Sequence, residues 1–235
     1  MKARSAGTAT STHGGFLRAG VVLAAALALL GLPSTAAAQD GLAWAEWDVP
    51  SFHVPAGEDG YGMYVTFPQD MDAVGAVGTW RASGEYVDLG VRGGVVNIER
   101  PTGDDAVGFS FGADFKNELV SAYEEFPLDV SWASGIGASL VPEVDRAAVR
   151  VPLGLVVGRE IQAENVVITP YAYPRLALDF LFRDEGRFGP AGGDDETDLR
   201  MDLDFGADLR VDDEWSVRVG FTVGRQFTAG AGLTF

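Results

Sequence analysis

The chain is 235 residues long, sets 34 acidic against 17 basic residues and contains no cysteine. That length fits one domain. The missing cysteines exclude disulfide, thiol and zinc–cysteine chemistry, and the acidity makes nucleic-acid phosphates a poor partner.

Residues 1–38 read as a secretory signal peptide and not as part of the fold. Lys2, Arg4 and Arg18 give a positive start, AGVVLAAALALLGL follows Arg18 as an apolar core, and Pro33 breaks the helix. Ala36-Ala37-Ala38 then supplies the small residues of a cleavage site near Ala38. The core falls short of the roughly 18 apolar residues that a spanning helix requires. No later stretch is long and apolar enough to cross a bilayer as a helix. A membrane form of the remainder therefore has to satisfy its backbone by closed sheet pairing. Residues 39–60, with Trp44, Trp47 and His53, show no alternation and read as an irregular lead-in.

From about residue 61 apolar and polar residues alternate with period two, the signature of strands with two unlike faces. Ten segments are predicted: 61–67, 73–82, 86–95, 106–116, 128–141, 147–160, 166–182, 198–211, 215–224 and 227–235. In 107–116, Val107, Phe109, Phe111, Ala113 and Phe115 alternate with Gly108, Ser110, Gly112, Asp114 and Lys116. Ser83-Gly84-Glu85, Gln162-Ala163-Glu164-Asn165 and Asp212-Asp213-Glu214 are short turns at one end, and Arg183 to Thr197 is a long acidic loop at the other. Short turns on one side, a long loop on the other and an even strand count predict an all-β, single antiparallel up-and-down transmembrane barrel over residues 61–235. Eight strands is the alternative count, because Asn117 to Phe126 is long for a turn and Arg225-Gln226 is short for a loop. Pro152, Pro170 and Pro174 predict bulges or poor pairing between the two strands that carry them.

Residue size decides which face is the interior. One face carries Phe109, Phe111, Trp132, Leu153, Leu155, Phe180, Phe205, Trp215 and Phe221; the other is rich in glycine, including Gly90, Gly112, Gly154, Gly206 and Gly220. Glycine gains nothing on a wet surface and weakens strands, whereas small residues make room inside a narrow barrel. The glycine face also carries Arg81, Arg92, Lys116, Arg150, Arg175, Arg200, Arg210 and Arg218, nearly balanced by Asp88, Asp114, Asp129, Asp179, Asp202, Asp204 and Asp208. These fifteen are candidates for ion pairs in the lumen, since buried charges have to be paired. Trp80, Tyr86, Trp132, Tyr171, Trp215 and Phe235 are candidates for aromatic girdles.

The terminal segment FTAGAGLTF puts Phe227, Ala229, Ala231, Leu233 and Phe235 on one face and ends on an aromatic. It resembles the last strand of small bacterial outer-membrane β-barrel proteins, the porin-like and opacity-type superfamily. EWSVRVGFTVG, YVDLGVRGGV and VVITPYAYPRLAL share the same style. The resemblance implies residence in a bacterial outer membrane, contact with its lipid and lipopolysaccharide, and recognition by the barrel assembly machinery through Phe227, Leu233 and Phe235.

Catalysis has little to work with. His53, beside Asp48 or Glu58, is the one histidine after processing, and Asp202 with Asp204 reads better as an ion-pair element than as an acid–base pair. No enzyme activity, cofactor or specific metal is expected. Asp194, Asp195, Glu196 and Asp198 offer oxygen ligands for weak divalent-cation bridging without the spacing of a calcium loop. The expected role is structural or that of a narrow passive channel. The alternative is an adhesion barrel acting through its acidic outer loops; an outer-membrane enzyme and a soluble lipocalin-like binder stand further off.

Overall fold

The computed structural model describes residues 59–68, 72–84, 87–99, 105–122, 126–144, 146–183, 196–211, 215–223 and 226–234. Residues 1–38, read as a signal peptide, together with His53 and most of the lead-in, lie outside the described residues.

Every predicted segment forms a strand. They are β1 (Asp59–Pro68), β2 (Ala73–Ser83), β3 (Val87–Ile98), β4 (Ala106–Val120), β5 (Asp129–Val141), β6 (Arg146–Gly158), the short β7 (Ile161–Ala163), β8 (Val166–Arg183), β9 (Glu196–Val211), β10 (Trp215–Thr222) and β11 (Gln226–Thr234). Each pairs antiparallel with its chain neighbour, and β1 pairs with β11 from Gly60 opposite Thr234 to Pro68 opposite Gln226. β6 pairs directly with β8, while β7 continues the line of β6 along the start of β8. The ring is therefore a closed barrel of ten staves, not eight. The stagger accumulated round it is about a dozen residues, which tilts the strands by roughly 40° from the barrel axis.

Both described ends of the chain lie at one rim, hereafter the terminal rim, together with the connections after β2, β4, β7 and β9. The far rim carries the connections after β1, β3, β5, β8 and β10. Two connections are tightened by local geometry. β4 runs on to Val120 through a register shift between Glu118 and Val120, shortening the link that looked too long for a turn. Glu164, in the turn between β7 and β8, takes a positive φ of 49°, a conformation that costs a residue with a Cβ.

The prolines interrupt pairing, as expected, but without a bulge in the ladders they break. β8 keeps one register along β9, with Pro170 opposite Ala207 and Pro174 opposite Leu203. Pairing is interrupted without a bulge in two places. One lies between the Ser134–Leu153 and Gly137–Arg150 pairs, where Pro152 falls. The other lies between Gly154–Arg175 and Val157–Ala172, where Pro174 falls. Each proline removes a donor, and its neighbours hold the register. Ser134 compensates, its hydroxyl donating to the Pro152 carbonyl at 2.8 Å.

The two faces separate as the alternation requires. Phe111, Leu153, Leu199 and Trp215 point outward and are more than half exposed. The alternate residues turn inward and are buried: Asp88 and Gly90 on β3, Arg150 and Gly158 on β6, Asp204 and Asp208 on β9. Large apolar groups outside and paired charges inside is the arrangement of a wall that meets lipid. No described helix is long and apolar enough to cross a membrane.

Candidate functional site: the charged lumen

The lumen is built from the inward halves of the strands, so its chemistry follows from which inward residues the register brings level. On one wall, Gly90 of β3 sits between Arg81 and Asp114, and a Cβ there would come within 3.0 Å of both side chains. The missing side chain lets Arg81 reach Asp114 at 2.5 Å, while Arg92 takes the other carboxylate oxygen at 2.6 Å. Below them Lys116 Nζ lies 2.6 Å from Asp88, which also accepts from the Ser83 hydroxyl at 2.5 Å.

The opposite wall carries three more groups. Arg150 binds Asp179 in a fork, Nε at 2.6 Å and Nη2 at 2.9 Å, and Arg200 closes on the same carboxylate from β9. Arg175 places Nε 2.8 Å from Asp204 and Nη2 3.9 Å from Asp202, with Thr222 donating to Asp204 at 2.5 Å. Arg218 pairs with Asp208 at 2.5 Å, and its guanidinium lies 5.7 Å from the Tyr64 ring and 5.9 Å from the Tyr171 ring. One cation thereby braces β1, β8, β9 and β10. Two predicted residues sit at the terminal rim instead. Asp129 accepts the Ala122 backbone N–H at 2.7 Å, and Arg210 approaches Glu160 at 4.0 Å.

Three features lie outside the sequence expectations. Tyr171 is not a girdle residue: it points into the lumen and is 6% exposed, where with Tyr173, Ala133 and Val156 it forms an apolar cluster in mid-lumen. Its parity with Arg175 and Asp179 was the signal for this. Near the far rim, Val96, Ala106 and Val141 are buried together and packed by Ala73, Ile98 and Leu181, so the charged lumen ends in an apolar cap. Asp198, considered as a cation ligand, faces Arg200 at 3.8 Å. Asp194 and Asp195 lie outside the described residues, and Glu196 stands opposite Leu181 by register.

The girdle candidates divide by position. Trp80 and Trp215 sit near the terminal rim, opposite Tyr61 and Leu233. Trp132 meets Phe115 edge-on at 4.8 Å. Tyr86 and Phe235 lie outside the described residues. Among the assembly-signal residues, Leu233 is exposed on the outer face, and Phe227 occupies the register position between Phe67 and Phe221.

No protein-family model and no curated protein sequence matches the chain. Among solved structures it is similar to the β domain of the Bordetella autotransporter Brka, at 13% identity over 76% of this chain and 99% of that one, with a TM-score of 0.49. It is also similar to the translocator domain of the autotransporter NalP from Neisseria meningitidis (12% identity, 78% and 90% covered, TM-score 0.39). A third is the N-terminal β-barrel domain of OprF from Pseudomonas aeruginosa (8% identity, 77% and 98% covered, TM-score 0.33). At these values no activity, ligand or partner passes from them to this chain.

Proposed function

We propose that the chain is exported through residues 1–38 and becomes an integral outer-membrane β-barrel with a structural role, its lumen too full to conduct freely. The observation that carries this reading is the inversion of the two faces: exposed Phe111, Leu153, Leu199 and Trp215 outside, paired Arg175, Asp204, Arg218 and Asp208 within. A soluble barrel would place the apolar set inside. Against the narrow-channel role stand the burial of the lumen charges and the apolar cap of Val96, Ala106 and Val141. Ten staves enclose a bore only a little wider than one that side chains fill.

The terminal rim is assigned to the periplasm and the far rim to the outside, by the rule of short periplasmic turns. Lipid and lipopolysaccharide are the partners of the outer face, and Phe227, Leu233 and Phe235 are read by the assembly machinery. The test takes the mature chain refolded into detergent and into planar bilayers. A heat-modifiable band on detergent gels with no stepwise conductance is the expected result. A chain that unfolds in detergent without heating defeats the membrane reading, and regular conductance steps defeat the structural one.

A further inference from the structure

The barrel wall is not of even height. β8 and β9 have 18 and 16 residues, whereas β10, β11 and β1 have 8, 9 and 10. A tilted strand crosses a bilayer in about 9–11 residues, so the flank closed by β10, β11 and β1 barely spans one and the adjoining flank of β8 and β9 exceeds it. At the terminal rim β9 and β10 finish together, Val211 opposite Trp215. The whole shortfall is at the far rim.

There β9 outruns its neighbour. Its last pair with β10 is Asp204 with Thr222, followed by one bond from Val223 N–H to the Leu203 carbonyl at 3.0 Å. From Thr197 to Met201, β9 pairs with β8 alone among the described residues. Open strand edges are not tolerated in hydrocarbon, where unpaired N–H and C=O groups cost several kcal/mol each. Such an edge is satisfied by water, by lipid headgroups or by other chain, and not by acyl chains. The outer face agrees. On the tall flank Phe182 and Leu199 keep the exterior apolar toward the far rim, while on the short flank it ends at Phe67, Phe221 and Val223. Phe67, Phe221 and Phe205 lie in one register row through position 227, and the Phe205 and Phe221 rings stack at 5.5 Å.

We propose that the β10–β11–β1 flank is a lipid-facing surface for a locally thinned outer leaflet, with headgroups descending to the row of Phe67 and Phe221. The partner is the bilayer itself, through acyl chains that are short or disordered beside the seam. The proposal rests on the membrane reading above.

The chain has no cysteine, so single thiols can be introduced cleanly. With strands tilted by roughly 40°, Phe67, Phe111, Val151 and Val223 lie at about the same height on the barrel axis, the first and last on the short flank. Four variants of the mature chain, Phe67→Cys, Val223→Cys, Phe111→Cys and Val151→Cys, are nitroxide-labelled and inserted in dioleoylphosphatidylcholine vesicles. Power saturation against oxygen and a water-soluble nickel chelate then reads their immersion. Nickel should dominate at 67 and 223, and oxygen at 111 and 151. Equal immersion at all four overturns the proposal. Two sites per flank and a heat-modifiable band for each variant guard against a single misfolded sample. A chain that fails to float with the vesicles overturns the membrane reading and this proposal together, a result distinct from equal immersion.

Discussion

Arg175 and Asp204 face each other across β8 and β9 with both side chains at 0% exposure, joined at 2.8 Å through Nε and at 3.2 Å through Nη2. The pair has left water altogether, so its worth depends on both partners being present. Removing one leaves a buried charge whose cost is about 3–5 kcal/mol. Arg175→Met should lower stability by that order in urea titrations of the refolded barrel. The double variant Arg175→Met, Asp204→Leu should recover a good part of the loss. If the double variant is worse than either single one, the pair is not the unit of stability here.

Arg218 does two jobs that substitution can separate. Arg218→Lys keeps a charge for Asp208 but loses the flat guanidinium between Tyr64 and Tyr171. Exposed cation–π contacts are worth about 0.5–1 kcal/mol and desolvated ones about 2, so lysine should cost about 1–2 kcal/mol and alanine more. The temperature at which the folded band disappears on detergent gels measures the order, and equal loss for lysine and alanine would assign the whole effect to the planar group.

Glycines on the two faces should respond differently to alanine. A Cβ on Gly206 would lie 2.2 Å from the Val219 carbonyl oxygen and 2.6 Å from the Tyr171 hydroxyl, whereas one on outward Gly78 meets nothing closer than 3.9 Å. Gly206→Ala should therefore cost about 1–3 kcal/mol through overpacking. Gly78→Ala should be neutral or mildly stabilising. Refolding yield and urea midpoints for the two variants check this contrast.

Ser134 is a polar residue on an otherwise apolar outer face, and its bond to the Pro152 carbonyl explains its place. Ser134→Ala should cost about 1 kcal/mol, the usual net value of such a bond. Pairing it with Pro152→Ala, which restores a backbone donor to the ladder, should shrink that cost in a double-mutant cycle.

The terminal-strand residues are predicted to act before the barrel exists. Leu233→Ser, with Phe235 removed, should lower the amount of barrel assembled in cells severalfold while purified chain still refolds into detergent. Equal loss in both settings would mean that these residues serve stability and not recognition.

The ten strands were legible because the two faces differ in kind, so parity alone assigned Asp114, Arg150 and Asp204 to one side. The failures came from residues that suit either side. Tyr171 has the body of a girdle residue and a polar tip, and only its step of four from Arg175 showed where it points. Val96, Ala106 and Val141 share parity with the charges, yet an interior expected to be polar hid the cap they form. Of the bulges or poor pairing that the prolines suggested, the structure shows interrupted pairing, with paired neighbours on both sides holding the register. Uneven strand ends were beyond reach, since alternation continues past the last bonded pair, and only pairing reveals that β9 outruns β10.

The seam from Gly60 opposite Thr234 to Pro68 opposite Gln226 joins the first described strand to the last. It has a consequence in time as well as in space. As the barrel assembles, β1 keeps an open edge until β11 docks, because its second neighbour is the described strand most distant from it in sequence. Among the described residues closure is thus the strand pairing of highest sequence separation, and such contacts are slow to form. Before that moment the chain holds one sticky edge at each end, the form in which a β protein is most prone to aggregate. Its need for an escort should be greatest just before β11 meets β1.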